Sequence, residues 1–314
     1  MFKDDRPYYQ HHADAGTDRA EGATLPDAVK VLPARGHVAG QAQFGRACPG
    51  GGVVIETTQL GSSSAHHIAP RLSSRLAGTR LCASRLLSRE EQHALEDVVS
   101  PLKSVDAGTD LVREGERADS LFIVSKGWAC RYTTTQEGGR QLPALLVPGD
   151  IGNLDSLLFD RLDYGLRTLT RAMVVVLPRD RALALAAQHP GIARLFTWLA
   201  LVENAILGKW ALSLGRRSAK ERLAHLLCEL SVRLDAEDGD QSSFAFPLTQ
   251  EQIADALGLT SVHVNRTMQQ LRSEGLIAVA NRTMTLPEVA RLRQIGGFDP
   301  RYLHIDTPAE PELA

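Results

Sequence analysis

The spacing of apolar positions changes character several times along the 314-residue chain. From residue 1 to about 78 no helical or alternating period is sustained, and Gly, Ala, Ser, His and Arg recur, as in "CPGGGVV" and "LGSSSAHH". Such a stretch buries too little apolar surface to offset its ordering entropy, so 1–78 is expected to be a disordered extension. Order is expected to begin near "RLLSREEQHALEDVV". There Ser88 and Glu91 have capping-box spacing, and Leu95, Val98 and Val99 continue a helical stripe. Up to residue 189, short β-rich runs alternate with turn signals: "TDLVREGERADSLFIVSKGWACRYTTT" around Gly115 and Gly127, then "RQLPALLVPGDIGN" and "TRAMVVVLPR". Short strands at this spacing predict a β-sandwich or barrel over 79–189.

Beyond Pro190 the period becomes helical. Ile192, Leu195, Leu199, Val202 and Ile206 alternate in steps of 3 and 4, the pattern of a dimer seam, with packing on the chain's own β-domain as the alternative. This helix is expected to span 190–214 and to break at Gly215. "GRRSAKERLAHLLCELSVRL" reads as a second helix with Leu223, Leu227, Leu230 and Leu234 on its apolar face, followed by a polar loop, "AEDGDQSS". Thr249 and Gln252 have capping-box spacing and open a short helix with Ile253, Ala254 and Leu257 inward. Gly258 suits the positive φ that ends it, and Thr260 caps the next helix, whose inward residues are Val264, Met268 and Leu271. Helices joined by so short a turn cross steeply, which is the helix-turn-helix layout. "EGLIAV" and "TMTLP" flank "ANR" as a hairpin wing, so 215–296 reads as a winged DNA-reading module and 297–314 as a tail.

The hydrophilic side of the second helix of that module carries the candidate chemistry. Ser261, Val262, Asn265, Arg266 and Gln269 would face the major groove. Arg266 suits a bidentate contact to guanine O6 and N7, and Asn265 and Gln269 suit adenine. Thr260 and His263, with the N–H groups of the helix start, suit phosphate, and Arg282 adds charge from the wing. So few cations imply that two copies bind together, hence a homodimer on double-stranded DNA.

Composition narrows the alternatives. Net charge is -2, with 43% hydrophobic and 23% charged residues. This is an ordinary globular balance that does not itself point to nucleic acid, although a small basic face fits inside a neutral chain. No apolar stretch of about 18–20 residues stands out and no signal-peptide core opens the chain, so a membrane is not an expected partner. Cys48, Cys82, Cys130 and Cys228 lie far apart without CxxC or CxH spacing. That argues against a disulfide framework or a cysteine zinc site and favours a reducing cytoplasm. No HExxH, no GxxxxGK followed by Ser or Thr, and no nucleophile–base pairing is found, so an enzyme is not expected. No Met lies between Met1 and Met173, so translation from a later start would need a non-ATG codon.

"LVREGERADSLFIVSKG", "LLVPGDIG", "GRRSAKERLAHLL" and "LTQEQIADALGLTSVHVNRTMQQLRSEGLI" together resemble the Crp–Fnr superfamily of bacterial transcription regulators. The resemblance covers residues from about 80 to 290. It implies an α+β fold: an N-terminal β-roll or jelly-roll of the cyclic-nucleotide-binding type, a long dimerisation helix and a C-terminal winged helix-turn-helix. It also implies RNA polymerase as a further partner and an unidentified small-molecule or redox signal. Members that bind cyclic AMP follow the Gly-Asp turn with Gly-Glu-Leu and then an Arg-Ser-Ala that grips the phosphate. Here "GDIGNLDSLLFDRLDYGLRTLT" keeps Gly149, Asp150 and Gly152 but lacks the glutamate and the Arg-Ser pair, and it places Asp163 nearby. Counted back from Arg222, the Thr-Ser pair that reaches the purine becomes Leu207 and Gly208. A phosphate without its arginine loses a bond worth about 1.5–3 kcal/mol, so cyclic AMP is not expected. Arg161 or Arg167 would be its substitute, and Gly149, Asp150, Gly152 and Arg167 form the candidate effector pocket. Cys48, Cys82 and Cys130 do not reproduce the closely spaced run of the cluster-binding members. No cofactor or metal is expected, with haem on His189, His225 or His304 as the alternative. Cys228 reads as an inert, half-buried thiol. The family's base-reading glutamate corresponds to Val262, which can pack on a thymine methyl, so the half-site is expected to differ from TGTGA and TTGAT.

Overall fold

The computed structural model describes residues 86–234 and 242–305. The extension expected at 1–78 and most of the loop "AEDGDQSS" lie outside them. Helix α1 (Arg89–Val98) begins at the capping box, where Ser88 Oγ accepts from the Glu91 N–H and Glu91 Oε2 accepts from the Ser88 N–H at 2.8 Å. Seven strands follow: β1 (Lys103–Val105), β2 (Asp110–Val112), β3 (Ser120–Lys126), β4 (Ala129–Thr134), β5 (Arg140–Leu146), β6 (Gly165–Thr168) and β7 (Ala172–Pro178). They form two antiparallel sheets, β1-β7-β3 and β2-β6-β4-β5. Val112, Val124, Ala129, Leu146 and Leu166 form the core that joins these sheets into a roll. Helices α2 (Arg179–Gln188) and the start of α3 (Pro190–Arg216) close a second core through Leu121, Ile123, Leu177, Leu185 and Leu195.

Helix α3 does not break at Gly215. A glycine costs a helix only about 1 kcal/mol, too little to end one that is packed along its length. What ends it is a capping box at the next helix, α4 (Ala219–Arg233), where the Ser218 N–H donates to Glu221 Oε2 at 2.7 Å. The Arg222 guanidinium then donates to the Leu214, Arg217 and Leu257 carbonyls at 2.8–2.9 Å, a cation placed at two helix C-termini. The apolar stripe of α3 also faces differently from the dimer seam expected. Ile192, Leu195 and Val202 are buried inside the protomer, which is the alternative reading. The outward row is Thr197, Leu201, Asn204, Gly208 and Ala211, again in steps of 4 and 3, with Leu201 64% exposed. Exposed Leu201, Leu207, Leu212 and Leu214, added to the buried stripe, explain why α3, against the sequence expectation, is long and apolar enough to cross a membrane by length and composition, with a mean hydropathy of 1.3.

The remaining elements are β8 (Ser242–Ala245), α5 (Gln250–Leu257), α6 (Ser261–Ser273), β9 (Ala278–Ala280), β10 (Thr283–Leu286) and α7 (Val289–Gly296). Every residue of α4 from Leu223 to Ser231 is buried, because the helix is covered by the roll as well as by the C-terminal elements. Trp128, Leu142 and Leu145 of the roll share one core with Trp210 of α3, Leu227 of α4 and Ile253 of α5. Cys228 is therefore fully rather than half buried, and burial pushes its thiol up to about 12. The Arg140 side chain ties β5 to α5 through Asp255 at 2.7 Å. Two further expectations change. Ser242 and Ser243 are strand residues, since β8 pairs with β10. The segment after 296 begins as part of the core: Pro300–Leu303 forms a 3-10 turn, and Phe298, Tyr302 and Leu303 are buried. Helix α7 reaches α4 closely at Gly296, where a Cβ would lie 2.6 Å from the His225 backbone nitrogen.

Candidate nucleic-acid interface

Helices α5 and α6 are fixed by their ends. Thr249 Oγ1 accepts from the Gln252 N–H, and Gln252 Oε1 accepts from the Thr249 N–H at 2.9 Å. Gly258 closes α5 at φ 61°, a left-handed conformation that favours glycine, and a Cβ there would lie 3.0 Å from Leu214 Cδ2, which would have to shift slightly. Thr260 Oγ1 then caps α6 by accepting from the His263 N–H. Val264, Met268 and Leu271 point inward with Thr267, whose hydroxyl donates to the His263 carbonyl and so satisfies itself within the helix. Thr267 was legible only by its position, three residues after Val264.

The opposite face of α6 is open. Thr260, Ser261, Val262, His263, Asn265, Arg266 and Gln269 are all exposed, Val262 at 78%. The side chains of Asn265, Arg266 and Gln269 have no hydrogen bond or ion pair to another described residue. The first turn of α6 holds no acidic side chain, leaving its N–H dipoles uncompensated by charge. The wing is the β9–β10 hairpin, with Thr283 opposite Ala280. Its two-residue turn puts Asn281 at φ 49° and Arg282 at φ 59°, and both are exposed. An Asn is at home there and an Arg is not. Arg282→Gly is expected to stabilise the fold by about 1 kcal/mol by removing left-handed strain; an unchanged urea midpoint would show that the turn bears none.

The candidate effector residues fall into other arrangements. The Arg167 guanidinium is held by Asp110 at 2.7 and 2.8 Å and lies over the Tyr132 ring. Gly149 forms the turn at φ 101°, and the Gly152 carbonyl accepts from Arg131. Arg161 donates to the Gly115 carbonyl, and Asp163 is exposed. Asp150 is buried and accepts from Arg233 Nη2 at 2.6 Å. The same guanidinium donates to Glu229 Oε1 at 3.0 Å and to the Leu145 carbonyl at 2.7 Å. Glu229, wholly buried, also accepts from Trp210 Nε1 at 3.0 Å and from the Tyr302 hydroxyl at 2.8 Å. The space between β5, α3 and the 154–157 turn is about 60 Å³, lined mainly by apolar side chains such as Leu146, Leu154, Val202 and Ile206. That is well short of the roughly 300 Å³ at which ligand clefts usually begin.

The histidines differ in setting. His225 Nδ1 donates to the Gly296 carbonyl at 3.1 Å, Nε2 lies 3.1 Å from the Tyr302 oxygen whose proton goes to Glu229, and burial lowers the His225 pKa to about 4. Sequence reasoning named His225 only as an axial-ligand candidate. It missed the network of Trp210, Glu229, Arg233 and Tyr302 around it. A Trp and a Glu nineteen residues apart give no periodic signal.

Known proteins share these features. Residues 102–189 match the cyclic nucleotide-binding domain family, and residues 221–295 match the Crp-like helix-turn-helix domain family. The fumarate and nitrate reduction regulatory protein of Vibrio cholerae is 25% identical over 221 residues, covering 70% of this chain and 88% of that one. Its namesake in Escherichia coli K12 is 24% identical over the same shares. Among solved structures, FixK2 from Bradyrhizobium japonicum is 26% identical with a TM-score of 0.58, covering 62% of this chain and 96% of that one. A CooA mutant from Carboxydothermus hydrogenoformans, 17% identical with a TM-score of 0.54, covers 72% and 98% and shares the fold. A cyclic-nucleotide-binding-type roll joined through a long helix to a winged helix-turn-helix defines a DNA-binding transcription regulator. This chain belongs to the Crp–Fnr superfamily of such regulators.

Proposed function

We propose that this regulator binds a palindromic DNA site as a cytoplasmic homodimer, under a signal other than cyclic AMP. The observation that carries this reading is the open face of α6, where Asn265, Arg266 and Gln269 stand exposed on a helix whose other side is packed. Arg266 reads a guanine, Asn265 and Gln269 read adenine edges, and Val262 packs on a thymine methyl. Thr260, Ser261, His263 and Arg282 position the phosphates. Two copies pair along the outward row of α3, with Leu201 and Ala211 against their counterparts, and set the recognition helices about 34–36 Å apart, one turn of duplex. The engagement of the Arg167 guanidinium by Asp110 supports a signal that does not present a phosphate to that arginine, although Arg167 also lines a space of about 300 Å³ with Tyr132, Arg140 and Thr249. RNA polymerase is the further partner that such a regulator meets at a promoter.

Titration of the full chain against a selected duplex tests the reading. Affinity is expected to fall linearly with salt on a log–log plot. Arg266→Ala is expected to weaken binding by about 1–3 kcal/mol and to relax one base position. A flat salt response, or an Arg266→Ala protein that binds as tightly, would instead support an interaction module whose helix-turn-helix meets protein.

A further inference from the structure

Inside the roll, Arg131 of β4 is 7% exposed and fully committed to its surroundings except at one nitrogen. Its Nε donates to the Gly152 carbonyl at 2.7 Å, and its guanidinium lies 4.5 Å from the centre of the Tyr164 ring. The Tyr164 hydroxyl donates to Asp155 Oδ1 at 2.6 Å. Nη1 is ion-paired with Glu203, which projects from α3. Nη2 is buried with no hydrogen-bond partner among the described residues. A buried guanidinium needs an anion. Here the anion comes from the long helix, whereas Gly152, Asp155 and Tyr164 all come from the segment that follows the Gly149–Asp150 turn.

We propose that Arg131 is the anion-binding residue of the roll and that Glu203 is its tethered ligand, a carboxylate supplied by the chain that couples the roll to α3 without a diffusible anion. The site has the chemistry of a small carboxylate receptor: a desolvated guanidinium with one donor taken by the protein carboxylate and a second in reserve. A free carboxylate not held by a helix could take both. The intact protein is therefore indifferent to small anions, and removing the Glu203 side chain converts an internal contact into a binding site.

Chemical rescue tests this, and because it reads melting rather than DNA binding it stands apart from the function proposed above. Glu203→Ala is expected to melt about 10 °C below the natural chain in sodium chloride, the effect of leaving a buried cation without its partner. Replacing chloride by acetate or formate at equal ionic strength should recover at least half of that loss with a saturating dose response. The natural chain and the Arg131→Met/Glu203→Ala double variant should show no such gain. Equal responses to acetate and chloride in Glu203→Ala, or an equal acetate gain in the double variant, would overturn the proposal. Glu203→Gln keeps the shape and a hydrogen-bond acceptor but no charge, and it serves if the alanine variant does not fold. It should melt measurably lower than the natural chain, and a melting temperature equal to that of the natural chain would refute the need for a charged ligand.

Discussion

Arg233→Met is expected to cost about 3–5 kcal/mol of stability, the usual loss when one member of a buried ionic group is removed. Arg233 is buried, and its guanidinium bridges Asp150 of the roll, Glu229 of its own helix and the Leu145 carbonyl of β5. Methionine fills much of the volume but withdraws the cation that both carboxylates share. Glu229 would keep the Trp210 and Tyr302 donors, which are neutral and hydrogen-bond it without balancing its charge. Lysine should recover part of the loss, because a single ammonium keeps the charge but cannot fork to three acceptors. Urea unfolding of the three proteins at neutral pH checks this. A methionine variant within about 1 kcal/mol of the natural chain would mean that the carboxylates are not ionised inside the fold.

The second large effect is acid sensitivity centred on His225. Burial is the main cause of its lowered pKa, aided by the Arg217 charge and opposed by Glu229 and the Gly296 carbonyl. The folded value is about 4, against about 6.5 in an unfolded chain. Between these values the unfolded chain binds the proton and the folded one does not, so stability falls as pH drops. At neutral pH the residue is uncharged in both states and contributes nothing. From pH 6.5 down to pH 4 the accumulated loss is about 3 kcal/mol. Most of it comes before carboxylates protonate, so stability measured from pH 7 to pH 5 should show a slope that His225→Gln removes. A slope unchanged in the variant would place the acid-labile group elsewhere. The ring proton of His225, followed by NMR, should titrate near its folded value of about 4.

The reading head was the part most visible in the amino-acid order. Thr249, Gln252, Gly258 and Thr260 act through the few residues that follow each of them, so their roles are local and their spacing suffices. The same locality made Ser88 and Glu91 legible, and it would have revealed Ser218 and Glu221, whose identical spacing outweighs the glycine three residues earlier. The face of α3 was not legible in this way. Ile192, Leu195 and Val202 repeat at seam spacing, but so does the outward row, and period alone does not say which side a β-roll will cover. Nor could sequence pattern place Arg131 beside Glu203 or Arg233 beside Asp150, since each pair joins residues that only the completed fold brings together. The strand β8 is four residues long and lies after a polar loop, too brief for its alternation to register. Tyr302 was lost because a segment past the last periodic helix offers no pattern of its own.

Trp128, Leu142 and Leu145 of the roll lie in the same oily interior as Leu227, Ile253 and Leu257 of the DNA-reading elements. Roll and helix-turn-helix head are therefore not beads on a string. A head grafted from another regulator would have to fit the outer surface of this particular sheet as well as join its linker. Recombination within the superfamily should thus tolerate exchange of the solvent-facing letters of α6 far more readily than exchange of the whole head.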